Sequence, residues 1–322
     1  MKEIKITDIE NIKIGNAQNI EKGSGCTVIV CEKGASCGVE ISGGGPASRE
    51  TFLLNPMAAA EKINAVLLSG GSAFGLDAAG GVMQYLEEND IGFDTGITKV
   101  PLVCASSIFD LVVGDMRFRP DKEMGYEAAK NALEKSNYTD GNFGAGTGAT
   151  VGKFLGTQYM MKSGIGSYAV SLGDLKVGAV VCVNALGDVF ENGKIIAGML
   201  SCDKKSFADT AKTMYESNEI RENLFTSNTT IACVITNAAF DKSKMNKIAK
   251  MAHNAYALSI KPVNTTADGD SVYAMSAGDV NADINVVGML AADVLEKAIV
   301  CAVKSAKSAY GLIAYNDMIE MR

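Results

Sequence analysis

The chain has no tryptophan, five prolines and a single histidine. That histidine, His253, sits mid-helix between Ala252 and Asn254, which excludes a triad built on a well-placed imidazole. It reads as a structural residue. No run of Lys or Arg occurs, and the net charge is −7 with a pI near 5. Nucleic acid and anionic membrane surfaces are therefore excluded as partners. The acidic balance is compatible with a substrate carrying an amine. Eight cysteines are scattered, none in a CxxC pair and none in a Cys/His cluster with metal-ligand spacing. No metal and no cofactor is expected, and the cysteines read as small buried residues in a reducing compartment. The N-terminal "MKEIKITDIE" lacks the apolar stretch of a secretory signal. The most apolar late segment, 285–307, carries Asp293, Glu296, Lys297 and Lys304, so it reads as a buried helix and not a membrane span. The expectation is a cytoplasmic, soluble α/β or α+β protein.

What is present is glycine, 34 residues of it. With so few prolines it signals tight turns and close backbone packing. Two strands are expected at 26–31 and 37–41, joined as a hairpin through "EKGAS", and "GGGP" at 43–46 breaks regular structure. "INAVLLSGG" reads as a buried strand running into glycines. A helix follows, with Phe74, Ala78, Val82, Tyr85 and Leu86 at helical spacing and Asp77 near its start. Helices are also expected at 123–135, 204–217, around Met245–Ala255 and at 285–307. "KVGAVVCVNALGDVF" reads as two strands linked at 185–187, and 218–228 as irregular. Another strand begins at "NTTIACVIT", where Ile231, Cys233 and Ile235 alternate with Thr230, Ala232 and Thr236, and Val234 breaks the pattern. "SVYAMSAG" is the last strand. No repeat and no domain boundary appears, so one catalytic domain spans 1–322. Strands and helices come in segregated groups, which leans towards a layered sandwich.

The glycine-rich "GAGTGATVGK" does not make a phosphate loop. That pattern needs a glycine where Thr147 stands and a hydroxyl residue where Phe154 stands. The junction Asn228-Thr229 carries more chemistry. A threonine hydroxyl can attack the carbonyl of its own preceding peptide bond, and water can hydrolyse the resulting ester. The new N-terminal threonine then holds nucleophile and base on one residue, its α-amine titrating near pH 7.7–8.0.

"LLSGGSAFGLDAAGGVMQYLEEN", "GAGTGATVGK", "VNALGDVF", "NTTIACVITNA" and "TTADGDSVYAMSAG" occur in this order. Together they resemble the self-processing L-aminopeptidase/D-esterase family, closest to its Thr-nucleophile nylon-oligomer hydrolase branch. The resemblance spans about residues 12–307. It implies an α+β, four-layer αββα sandwich similar to N-terminal-nucleophile hydrolases but with distinct connectivity. It implies self-cleavage between Asn228 and Thr229 into 1–228 and 229–322, with Thr229 as nucleophile. Asn184 matches an oxyanion-binding amide, a role worth about 3–4 kcal/mol. Lys153 matches a lysine beside the nucleophile, where a cation would lower the amine's pKa. Asp268 and Asp270 match an acidic pair, and on extended backbone both face one side. The family is usually tetrameric, so a homo-oligomer is expected.

Each of these residues also has a plain reading: Asn184 as a turn cap, Lys153 as a solvated loop residue, "ADGD" as a turn. The main-chain amides of Gly71 and Ser72 either line the oxyanion site or only permit tight packing. Phe109 stands where the branch carries a Tyr, which removes a phenolic donor near the substrate. The implied activity is hydrolysis of amide bonds in short peptides or amino-acid amides. Two alternatives remain: an acyltransferase of the ornithine acetyltransferase type, and an inactive binding homologue.

Overall fold

Strand alternation organises the molecule. In the computed structural model, which describes residues 1–217 and 228–320, ten strands join one continuous path of pairing. They are β1 (Lys2–Ile4), β2 (Lys13–Asn19), β3 (Ser24–Ile41), β4 (Ala47–Arg49), β5 (Ile63–Ser69), β6 (Val103–Ser107), β7 (Ile165–Leu172), β8 (Leu175–Asn184), β9 (Thr229–Ala238) and β10 (Ser271–Val280). The order is β1-β7-β8-β9-β10-β3-β5-β6-β4, with β2 also on β3. β9–β10 and β5–β6 pair in parallel.

The path is two sheets that share β3. Its first half pairs with β2 and β5, and its second half with β10. The expected hairpin between 26–31 and 37–41 is therefore not there. The chain runs straight through "EKGAS" as one strand, and the register on β5 shifts between Val30 and Ala35. Gly34, with φ of 73°, sits in that bulge, which turns the strand from one sheet into the other.

Alternate side chains then fill three layers. Ile29, Val66, Leu68 and Cys104 of one sheet pack on Val180, Cys182, Ile231, Cys233 and Ile235 of the other. Outward from the first sheet, Val28, Val30, Leu67 and Ala105 meet α1 (Ala78–Glu88) and α2 (Lys122–Glu134). Outward from the second, Val181, Val183, Ala232, Val234 and Ala274 meet α4 (Lys242–Ala252), which follows α3 (Thr210–Ser217), and α6 (Ile284–Ser305), which follows α5 (Asn254–Ser259). This is the αββα sandwich. Val234 does not break a pattern, because β9 is buried on both faces, as central strands under two layers are. Each such buried Val, Leu or Ile contributes roughly 1.5–3 kcal/mol. Gly38 shows why glycine is needed against the helices: a Cβ there would lie 2.1 Å from the amide of Asn246 on α4.

Aspartates start the long helices. Asp121 accepts from the Met124 amide, Asp241 from Lys244, and Asp283 from Asn285 and Val286. Other boundaries differ from expectation. Phe74 lies in a short 3₁₀ turn and is 61% exposed. The helix expected from 204 begins only at Thr210, whose amide and hydroxyl are held by the distant Asp188 carboxylate at 2.6 and 2.7 Å. Of the irregular stretch expected at 218–228, residues 218–227 lie outside the described residues. α4 stops at Ala252, with buried His253 packed on Tyr256, the two rings tilted by 54° with centroids 4.8 Å apart. Among the described residues no helix is long and apolar enough to cross a membrane.

Candidate active site

The central strands bring the expected residues to one end of the second sheet. β8 and β9 are antiparallel, and their register sets Asn184 opposite Thr229. β9 and β10 are parallel, with Ile231 opposite Ser271, so the turn entering β10 falls beside the start of β9. An isolated bridge pairs Asn228 with Asp268. Lys153 arrives on the glycine-rich loop, docked by its amide on Leu186 O (3.1 Å) and by the Gly152 amide on Gly187 O (3.2 Å). Asn184, Thr229, Lys153, Asp268 and Asp270 are all buried.

The Thr229 hydroxyl donates to the carbonyl oxygen of Asn228, its own preceding residue. The same oxygen accepts from the Gly269 amide at 3.1 Å. A Cβ on Gly269 would lie 2.7 Å from Thr229 Oγ1, so only glycine leaves room for that hydroxyl. The Asn228 side chain is buried, and its amide meets no hydrogen-bond partner among the described residues, where an unmet buried polar group costs free energy.

Asn184 is held rigidly. Its Oδ1 accepts from Lys153 Nζ (2.8 Å), the Thr150 amide (3.1 Å) and the Thr150 hydroxyl (3.3 Å). Its Nδ2 donates to the main-chain carbonyl of Phe109 at 3.0 Å. Phe109 thus touches this machinery through its backbone. Lys153 Nζ also donates to the Asn184 carbonyl at 3.0 Å.

Each carboxylate has main-chain donors. Asp270 accepts from the Thr230 amide (2.7 Å) and the Asn264 amide (2.9 Å). Asp268 accepts from the amide (2.8 Å) and hydroxyl (2.6 Å) of Thr265. Burial nevertheless raises the pKa of both, and the like charge of Asp268 adds to the rise at Asp270. Burial pushes Lys153 down to about 7, against the pull of Asp268, Asp270 and Asp110. The site therefore combines a hydroxyl on a polarised carbonyl with an amine poised at neutral pH.

Gly71 and Ser72 do not join this group. The Gly71 amide donates to Asp110 Oδ1 (2.7 Å) and the Ser72 amide to Ile108 O (2.9 Å). Here the packing reading is the one the geometry supports. Sequence reasoning passed over Gly269, Thr150 and the Phe109 carbonyl. It also passed over "SGGG", in which the amides of Ser42 and Gly43 both donate to Asp270 O and that of Gly45 to Asp268 O, clamping the acidic turn. Of these, Gly269 lies within the "ADGD" whose plain reading is a turn. Among the described residues no group of His, Cys, Asp and Glu could hold a metal ion.

The model of peptidase family S58 matches residues 5–314. The chain belongs to that family. An uncharacterized aminopeptidase of Mycobacterium leprae is 33% identical over 345 residues, covering 97% of this chain and 93% of that one. A 6-aminohexanoate-oligomer endohydrolase of Agromyces sp. is 27% identical over 286 residues, covering 85% and 75%. The solved L-aminopeptidase D-Ala-esterase/amidase of Ochrobactrum anthropi, described as a variant of the Ntn-hydrolase fold, superposes with a TM-score of 0.72 at 16% identity, covering 98% and 92%. As a member of family S58 the protein is a hydrolase of amide bonds, of the aminopeptidase type.

Proposed function

We propose that this S58 hydrolase cuts itself between Asn228 and Thr229 and then uses Thr229 as an N-terminal nucleophile. The observation that carries the reading is the Thr229 hydroxyl resting on its own preceding carbonyl, among Asn184, Lys153, Asp268 and Asp270. In hydrolysis the freed α-amine takes the hydroxyl proton, Oγ1 forms an ester with the substrate's acyl group, and the amine product leaves. Water then releases the acid. Asn184 stabilises the oxyanion, Lys153 depresses the amine's pKa, and Asp268 with Asp270 orient the strand end that carries the nucleophile. The Thr230 amide on Asp270 supports that last role.

The substrates are short peptides or amino-acid amides. The names of the relatives support this, one an aminopeptidase and one an oligomer endohydrolase. We further place the enzyme in the cytoplasm as a homo-oligomer of cut protomers. Phe109 lends little support to an inactive homologue, because its carbonyl is the group that meets Asn184.

Thr229→Ala tests the reading. It should leave one uncut chain without amidase activity, and a normally cut variant would refute it. Asn184→Ala should lower kcat more than it raises KM. An unchanged kcat would remove Asn184 from the oxyanion role.

A further inference from the structure

We propose that the main-chain N–H of Gly269 is the oxyanion donor for the self-cleavage step. The inference rests on the self-cleavage reading above and names the group that activates the bond to be cut. The Gly269 nitrogen stands 3.1 Å from the oxygen of Asn228, the carbonyl that the Thr229 hydroxyl touches. Measured to the carbonyl oxygen before charge develops, that distance already sits at the outer edge of the roughly 2.7–3.1 Å reach of an oxyanion-hole donor. The Asn184 Nδ2, assigned above to hydrolysis, donates to Phe109 O in the uncut chain. The Gly71 and Ser72 amides are bonded to Asp110 and Ile108.

The N–H is also preorganised. The turn that carries it is fixed from one side by the Gly45 amide on Asp268 O (2.8 Å) and the Ser42 amide on Asp270 O (3.1 Å). It is fixed from within by the Asn264 and Thr265 amides on the two carboxylates. Such a donor needs no reorganisation as charge develops.

The Thr229 Oγ1 bond to the Asn228 carbonyl carbon forms, and the carbonyl electron pair moves onto the oxygen that faces Gly269 N–H. Collapse of that intermediate breaks the bond to the Thr229 nitrogen, which receives the hydroxyl proton. The product is an ester between Asn228 and Thr229 with a free amine. Water adds to the ester carbon, Oγ1 regains a proton, and Asn228 ends as a carboxyl group.

The test replaces Gly269 with glycolic acid by nonsense suppression, which turns its N–H into an ester oxygen and adds no bulk. The control makes the same change at Gly125, whose amide donates to Asp121 O at 2.9 Å at the start of α2, in the helical layer outside the other sheet. Cleavage is followed on denaturing gels from the moment of synthesis. The Gly269 ester chain should cut about 10²–10³-fold more slowly, with the control near the wild-type rate. Equal rates for Gly269 ester and wild type would overturn the proposal. A wild-type chain that itself never cuts would instead refute the self-cleavage reading.

A second measurement covers an ester chain that does not fold. Isotope-edited infrared spectroscopy of the labelled Asn228 carbonyl in the uncut, folded Thr229→Ala chain should show a stretch below that of a peptide carbonyl in an apolar solvent, where it accepts no hydrogen bond. A stretch at the apolar-solvent value would also overturn the proposal.

Discussion

Lys153 and Lys162 are both buried, and burial pushes both down to about 7. Their surroundings differ. Lys162 Nζ donates to three carbonyls, those of Gly146 (3.0 Å), Ala149 (3.0 Å) and Ser163. It ties together the glycine-rich loop. Lys153 lies at the far end of that loop, bonded to Asn184 and within the field of Asp268 and Asp270. A depressed lysine therefore does not by itself mark chemistry. The marking comes from what the amine bonds to: in one case three backbone carbonyls, with Asp110 and Cys182 acting on it only through their fields, in the other the side-chain amide of Asn184, beside the carboxylates that meet at Thr229.

Substitutions can sharpen this contrast. Lys153→Met should lower amide hydrolysis at neutral pH by about 10–10³-fold, because without the cation the pKa of the Thr229 α-amine rises by about 1–3 units and less of the base is free, as measured by kcat/KM on an amino-acid anilide. A loss below tenfold would put Lys153 on the same footing as Lys162. Lys162→Met should instead cost stability, about 2–4 kcal/mol in denaturant titration, because three carbonyls lose their donor. Its folded fraction should keep far more activity than the Lys153 variant.

The same pair predicts a pH dependence. Lys162 titrates near 7 when folded and near 10.4 when unfolded. Between those values the unfolded chain binds more protons, so stability rises with pH. The stability gap between wild type and Lys162→Met should grow from about pH 7 to 10 and stay flat below 7. A gap that shrinks with pH would mean the buried amine is held charged. The smallest effect belongs to Phe109→Tyr. The carbonyl, not the ring, meets Asn184, so kcat should change little; a large gain would show that the missing phenol limits the rate.

Much of this was legible in the sequence, for identifiable reasons. The central strands announce themselves as apolar runs, and the residues at their mouths, Asn184, Thr229, Asp268 and Asp270, are brought together by pairing. What stayed hidden was carried by main-chain atoms or by distant partners. "EKGAS" has the composition of a hairpin loop, and only the two-sheet arrangement makes it a corner. The start of α3 depends on Asp188, a residue from another element. The Gly269 N–H and the Phe109 carbonyl have no side-chain signature. Lys162, in "MMKSG", matches no motif and acquires its role only because the loop folds over it.

Mass spectrometry of purified, active enzyme tests the central claim most directly. The account predicts two fragments, the smaller beginning at Thr229 with a free α-amine. A fully active preparation containing only the intact 33.7 kDa chain would contradict it.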